Sequence, residues 1–165
     1  TGAFAIIAGR AGAKSVRAVD SSAKAVALAE QAAALNGLAG RVRFERADVF
    51  DALVAIEAKR ERYDLVIADP PSFVKSKKDL GPGARAYRKL ARLSAGAVES
   101  GGFLFIASCS HNMTPELFAG EVAAGLAAAA RTGRIVMSGG AGPDHPVHPQ
   151  LAETAYLKWL LLQIE

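Results

Sequence analysis

The sequence predicts an α/β protein, a mostly parallel sheet with helices on both faces. Three observations carry this. Short apolar runs of strand character alternate with longer alanine-rich stretches of helical character along the chain. Hydrophobic residues make up 51% and aromatic ones only 7%, which suits Ala-rich helices better than a β-sandwich. The third is the run Asp64–Ala68, whose unbroken apolar core reads as a strand buried on both faces and which stops at Asp69-Pro70-Pro71-Ser72-Phe73.

Two prolines fix φ and remove two donors, so the strand must end there in a stiff loop. A carboxylate in such a turn lies at the carboxyl edge of the sheet, where open α/β folds place their ligands. The alternative is an ordinary strand-to-loop turn.

The elements follow in order. Residues 3–12 read as a helix ending near Gly12, and Ser15–Asp20 as a short strand ending in an acid. Ser21 or Ser22 caps a helix to about Leu35, with Asn36-Gly37 as its stop. Arg41–Arg46 alternates as a strand does, and Asp48 opens a helix to about Arg60. After the Pro-Pro turn come a basic loop, a helix over Ala84–Glu99, a turn at Ser100-Gly101-Gly102 and an apolar strand over Phe103–Ala107. Thr114-Pro115 starts a helix to about Ala130, with Thr as cap and Pro in the first turn. Strands at Arg134–Met137 and Thr154–Ile164 flank a Gly/Pro/His loop.

With 165 residues, one domain is expected, spanning 1–165. The net charge of +4 permits a polyanionic partner without demanding one. A single cysteine, Cys109, excludes an internal disulfide and points to a reducing, cytoplasmic compartment. No apolar run approaches a membrane span, so no membrane partner is expected.

Asp20 sits at the end of the second strand of such a fold, where an acid in nucleoside-binding α/β folds accepts from ribose hydroxyls; the alternative is helix capping before Ser21-Ser22. Asp48 lies one strand further on, suited to an adenine amino group or, again, to capping. The two acids beside Gly2 suggest a nucleoside-containing cofactor, and the lack of a Gly-x-Gly-x-x-Gly fingerprint argues against NAD. Free cysteine is usually a small buried hydrophobe. Cys109, however, ends the strand after the one ending at Asp69, and if those strands are neighbours, thiol and carboxylate can open on one crevice as a nucleophile and acid pair. The helix after Thr114 presents its N-terminal dipole to a thiolate there.

Lys75, Lys77, Lys78, Arg85, Arg88, Lys89 and Arg92 concentrate positive charge beside this crevice, with only Asp79 among them. Arg85, Arg88, Lys89 and Arg92 share one helix face, read as phosphate-contacting in preference to merely solvated. His145 and His148 lack further partners at metal-ligand spacing, so no metal is expected, and their loop reads as substrate-shaping.

With these residues in hand, the chain resembles class I S-adenosylmethionine-dependent methyltransferases. More narrowly it resembles the RlmI-like type, large-subunit ribosomal RNA methyltransferases that make 5-methylcytosine. The resemblance runs through Thr1-Gly2-Ala3-Phe4, Val19-Asp20-Ser21-Ser22, Asn36-Gly37-Leu38 and Ala47-Asp48-Val49-Phe50. It continues through Asp69-Pro70-Pro71-Ser72-Phe73, the basic segment, Ser108-Cys109-Ser110-His111-Asn112, Asp144-His145-Pro146 and Glu153–Lys158. It implies a Rossmann-like class I methyltransferase fold with S-adenosylmethionine held at Gly2, Phe4, Asp20, Ser21, Asp48, Val49, Asp69 and Pro70. It implies Cys109 as nucleophile, Asp69 as its catalytic partner and ribosomal RNA as the macromolecule bound. Phe73 either packs on the target base or belongs to the core.

The family's first strand and the start of its Gly-rich loop would precede Thr1, so a hole is expected between the strands ending at Asp20 and Ala68. The chain starting at Thr1 is expected to bind cofactor poorly, and an upstream RNA-binding module is expected. Two other readings remain: methylation of guanine or an exocyclic amine without covalent catalysis, and a non-catalytic RNA-binding domain.

Overall fold

The computed structural model describes residues 2–165; Thr1, part of the first motif above, lies outside the described residues. The chain forms two compact units, one reaching to Ala55 and the other running from Ile56 to Glu165.

The first unit holds α1 (Ala3–Arg10), β1 (Val16–Asp20), α2 (Ala23–Leu35) and β2 (Val42–Arg46), and α3 (Val49–Lys59) carries the chain onward. β1 and β2 pair in parallel from Val16↔Val42 to Asp20↔Arg46. Its core is Ala5, Ala33, Leu38 and Val42, with Ile6, Val16, Ala18 and Phe44 packed against it. Small side chains let the helices close on the strands. Gly2 shows why: it has φ 77°, and a Cβ there would meet the Ala29 Cβ at 2.7 Å and the Phe44 ring at 2.8 Å. Ser22, not Ser21, caps α2, its Oγ accepting from the Ala25 N–H at 3.2 Å. Arg17 and Glu45 pair across the strands at 2.9 Å.

The second unit contains β3 (Tyr63–Ala68), α4 (Leu80–Gly96), β4 (Val98–Ser108), α5 (Pro115–Ala128), β5 (Gly133–Gly139) and β6 (Lys158–Ile164). The strand order is β3-β4-β6-β5. β3 and β4 are parallel, as expected, but β6 runs antiparallel to both neighbours. A parallel connection needs a crossover; the chain from Gly140 to Leu157 carries only a short 3-10 turn at Ala152–Thr154, so β6 returns beside β5 in the opposite sense.

Several boundaries differ from the sequence expectation, three of them with a clear local reason. α4 begins at Leu80, after a 3-10 turn at Lys77–Asp79, because Pro82 and Gly83 fall within its first turn. The expected turn at Ser100-Gly101-Gly102 is absorbed into β4 as an irregularity: the register jumps from Tyr63↔Val98 to Leu65↔Phe103, with Gly101 at φ 82°. The last strand starts at Lys158, since the segment 155–157 makes no ladder.

Leu104 and Ile106 of β4 lie opposite Leu162 and Leu160 of β6, and all four are buried. They form the unit's core with Leu90 and Leu93 of α4 and with Phe118, Val122 and Leu126 of α5. α4 and α5 pack backbone-close at Gly125, where a Cβ would stand 2.6 Å from the Ala91 Cβ.

Candidate active site

β3 and β4 are neighbours, so their carboxyl ends lie side by side, Ala68 opposite Ile106. This brings the two loops singled out in the sequence together. The Cys109 Sγ lies 3.9 Å from the Pro70 carbonyl oxygen, and the thiol is half-buried. Asp69 stands open at the end of β3 and makes no hydrogen bond among the described residues. The surrounding chain still removes part of its hydration, and that desolvation raises its carboxyl above the ordinary value of 3.8.

What holds these loops is a buried hydroxyl relay. The Ser110 Oγ lies 2.8 Å from the Ser72 Oγ and 2.8 Å from the Tyr87 hydroxyl, and accepts from the Val74 N–H at 3.2 Å. The Ser108 Oγ donates to the Tyr87 oxygen at 2.8 Å, and the Ser72 Oγ donates to the Val74 carbonyl at 3.2 Å. Each hydroxyl has one proton, so the ends set the direction: Ser108 to Tyr87, Tyr87 to Ser110, Ser110 to Ser72, Ser72 to the Val74 carbonyl. Ser108, Ser110 and Tyr87 are buried, where an unmade hydrogen bond is costly. The relay therefore couples the loop after β3 to the loop after β4 through α4. Gly83 lets α4 approach, since a Cβ there would sit 2.6 Å from the Phe73 carbonyl. Phe73 itself packs on Tyr87, ring centroids 4.8 Å apart.

Lys158 completes the site. Its Nζ donates to the carbonyls of Ser110 and Met113, each at 2.6 Å. Burial lowers its pKa, opposed by the charge of Cys109. Among the described residues the hydrogen bond of Cys109 goes to Pro70 and none to the start of α5. α5 is capped by its own Thr114, whose Oγ1 accepts from the Leu117 N–H at 3.2 Å.

The remaining expected cofactor residues belong to the first unit, at the carboxyl edge of β1–β2. Asp20 Oδ1 accepts from the Ser22 N–H at 2.7 Å, and Asp48 Oδ1 accepts from the N–H groups of Phe50 and Asp51 at 2.8 and 3.2 Å. The capping reading thus holds for Asp48 at α3, whereas Asp20 only turns the chain before Ser22, which itself caps α2. These bonds use one oxygen of each carboxylate; the second of each is not engaged among the described residues, and both residues are exposed. Exposed acceptor-only oxygens at a strand edge fit ribose hydroxyls and amino groups. Ser21 lends its carbonyl to Arg46 Nε at 3.4 Å. Phe4 and Val49 are exposed, and Gly2 serves close packing.

The basic segment divides. Arg88 is held by Glu121 of α5 at 2.8 and 3.2 Å, and that carboxylate raises its pKa through the hydrogen bond and charge. Arg92 is held by Glu57 at 2.9 and 3.3 Å. These two guanidinium groups brace α4, and the i, i+3, i+4, i+7 face is partly an ion-paired one. Lys75, Lys77, Lys78 and Arg85 are exposed and take no carboxylate among the described residues; Lys89 is also exposed. His145 pairs with Asp144 at 3.2 Å, and the backbone N–H of His148 donates to Thr154 Oγ1. Among the described residues no cluster of three His, Cys, Asp or Glu is placed to hold a metal, and no helix is long and apolar enough to cross a membrane.

Sequence reasoning missed Tyr87, which reads as one more apolar position on α4, and the roles of Ser72, Ser108, Ser110 and Lys158. The available signals were two hydroxyls flanking one cysteine and a lone lysine opening an otherwise apolar strand.

Residues 1–137 match the methyltransferase small domain. The chain is 38% identical over 165 residues to the ribosomal RNA large subunit methyltransferase I of Alteromonas mediterranea, covering 99% of this chain and 42% of that protein. It is 37% identical over 166 residues to a ribosomal RNA large subunit methyltransferase of Deinococcus radiodurans, covering 100% of this chain and 40% of that one. The chain thus spans about two fifths of the length of these curated relatives. Its backbone superposes on a solved protein assigned as a methyltransferase and complexed with SAH, with TM-score 0.84 and 25% identity, covering 99% of this chain and 42% of that one. The α/β architecture is therefore the Rossmann-like methyltransferase one. With its paired carboxyl-edge loops and its sequence agreeing, the chain belongs to the methyltransferase small domain family.

Proposed function

We propose that this chain is the catalytic domain of an S-adenosylmethionine-dependent methyltransferase of large-subunit ribosomal RNA, acting on carbon 5 of a cytosine through a covalent adduct with Cys109. The names of the relatives support the reaction class and the RNA, and the SAH of the solved neighbour supports the cofactor. The observation that carries the finer reading is the Cys109 thiol held against the Asp69-Pro70 turn, 3.9 Å from the Pro70 carbonyl.

Bound S-adenosylmethionine would supply an electrophilic methyl group. Asp20, Asp48 and the Asp69-Pro70 turn would hold it, together with Gly2, Phe4, Ser21 and Val49. Carbon 5 of cytosine is a poor nucleophile. The Cys109 thiolate adds to carbon 6, forming the S–C6 bond and moving the C5–C6 π pair onto carbon 5. Asp69 holds the ring nitrogen and amino group of the base and stabilises the activated adduct. Once carbon 5 carries the methyl group, a base removes the carbon 5 proton, the double bond reforms and the thiolate leaves. The target base must be unpaired or flipped to reach the crevice. Lys75, Lys77, Lys78 and Arg85 offer phosphate contacts beside it, with Lys89 at the same face.

The test uses the full-length protein, labelled S-adenosylmethionine and unmodified large-subunit ribosomal RNA, digested to nucleosides. Labelled 5-methylcytosine that disappears with Cys109→Ala is expected. A different labelled nucleoside, or full turnover by Cys109→Ala, overturns the covalent reading.

A further inference from the structure

We propose that Tyr87 is a positioning residue for Cys109: through Ser108, Ser110 and Ser72 its hydroxyl fixes where the thiol stands against the Asp69-Pro70 turn. This rests on the reading of Cys109 as nucleophile.

The ladder of β4 with β6 ends at Ser108, opposite Lys158, so Cys109 is the first residue past it. Beyond that point side chains orient the chain. The Ser108 Oγ reaches across the cysteine and accepts from the Ser110 N–H at 3.2 Å, a hydroxyl-closed turn with Cys109 at its apex. The same Oγ donates to the Tyr87 oxygen, and Tyr87 donates to the Ser110 Oγ, each over 2.8 Å. One phenol thus holds both neighbours of the thiol. Ser108 and Ser110 are fully buried, whereas Cys109 between them is only half-buried and turns its sulfur toward the Pro70 carbonyl.

The far end of the relay sets the distance to that turn. The Ser110 Oγ lies 2.8 Å from the Ser72 Oγ, two residues after Pro70, and accepts from the Val74 N–H at 3.2 Å. The Tyr87 ring is itself held, by Phe73 at 4.8 Å and by Phe118 at 5.4 Å between centroids. Thiol and turn therefore share one hydrogen-bonded frame. A buried hydrogen bond adds little net stability over an apolar pair of the same shape. What these hydroxyls add is fixed geometry, because each has one proton and that proton has one acceptor. Addition to carbon 6 needs such geometry: a misplacement of about 1 Å can cost about 100-fold in rate.

The experiment measures methyl transfer to RNA by the full-length Tyr87→Phe protein in single turnover, well below its unfolding transition. The maximal rate is expected to fall about 10- to 100-fold, while the RNA and S-adenosylmethionine concentrations that give half of it stay within about twofold. Ser72→Ala should also lose rate, and the double variant should lose no more than Tyr87→Phe alone, because both substitutions break one relay. A folded Tyr87→Phe protein with the wild-type maximal rate overturns the proposal, since the phenol then serves the fold alone. A rate loss matched by weaker binding of either substrate overturns it too, as does a double variant in which the two single losses multiply. If Tyr87→Phe does not fold, Ser108→Ala, which removes the hydroxyl that spans Cys109, is read in the same way. Cys109→Ala separates this role from the reading beneath it. An inactive Cys109→Ala protein with an unimpaired Tyr87→Phe protein leaves the nucleophile standing and removes the positioning role. Full turnover by Cys109→Ala overturns both.

Discussion

The hydroxyl of Tyr87 lies 2.8 Å from the Ser110 Oγ, and both residues are fully buried. One tyrosine on α4 thereby connects Ser108 and Ser110, which flank the thiol, to Ser72 and Val74 beyond the Pro-Pro turn. The geometry of the site depends on a helix that contributes no reacting group.

Tyr87→Phe keeps the ring, with its edge contact to Phe118 at 5.4 Å, and removes only the oxygen. Ser108 then loses its acceptor and Ser110 its donor inside the core. Destabilisation of about 1–3 kcal/mol is expected, measured as a lower urea midpoint with an unchanged m-value. A shift below about 0.5 kcal/mol would mean that the relay relaxes onto other partners.

Gly83→Ala tests the approach of α4 to the loop after the prolines. The added methyl would meet the Phe73 carbonyl at 2.6 Å, and backbone must move. About 1–3 kcal/mol should be lost despite alanine's better helix propensity. A gain in thermal stability would show that the close contact is not maintained in solution.

Asp69 links stability to pH. Its carboxyl is raised in the folded protein, so the folded state holds the proton more tightly than the unfolded chain does. That favourable contribution is full below the unfolded value, near 3.8, and is lost as pH rises through the higher folded value. Asp69→Asn, which carries no charge to desolvate, should be the more stable protein at pH 7, and the difference should shrink toward pH 3.8. Denaturation midpoints across pH check this. Methyl transfer should fall sharply in the same variant, a trade of activity for stability.

The basic segment should separate into two classes. The triple variant Lys75→Ala, Lys77→Ala and Lys78→Ala should weaken RNA binding by the full-length protein and reduce the slope of log K against log salt by about 2. Its thermal stability should be unchanged. Arg88→Ala should do the opposite, lowering stability by leaving Glu121 without its partner in a nearly buried site. Equal effects of both variants on the salt slope would place Arg88 among the RNA contacts after all.

Local chemistry explains what was legible in the sequence. Alternating apolar runs and alanine-rich stretches announce α/β architecture because burial and periodicity act within a few residues. The Pro-Pro stop, the Thr114-Pro115 helix start and the Asp48 cap are likewise local. The adjacency of Asp69 and Cys109 followed from assuming that successive parallel strands are neighbours, and β3 and β4 are. Three matters belonged to tertiary structure alone. The direction of β6 depends on how an 18-residue connection without a crossover helix returns to the sheet. The pairing of Arg88 with Glu121 and of Arg92 with Glu57 depends on where α4 meets residues about 35 positions away, which no helical spacing reports. The third is the site's support: Ser72, Tyr87, Ser110 and Lys158 are scattered through the chain, and each looks ordinary where it stands. Only burial makes them matter, because a hydroxyl or ammonium removed from water must find its partner inside the fold.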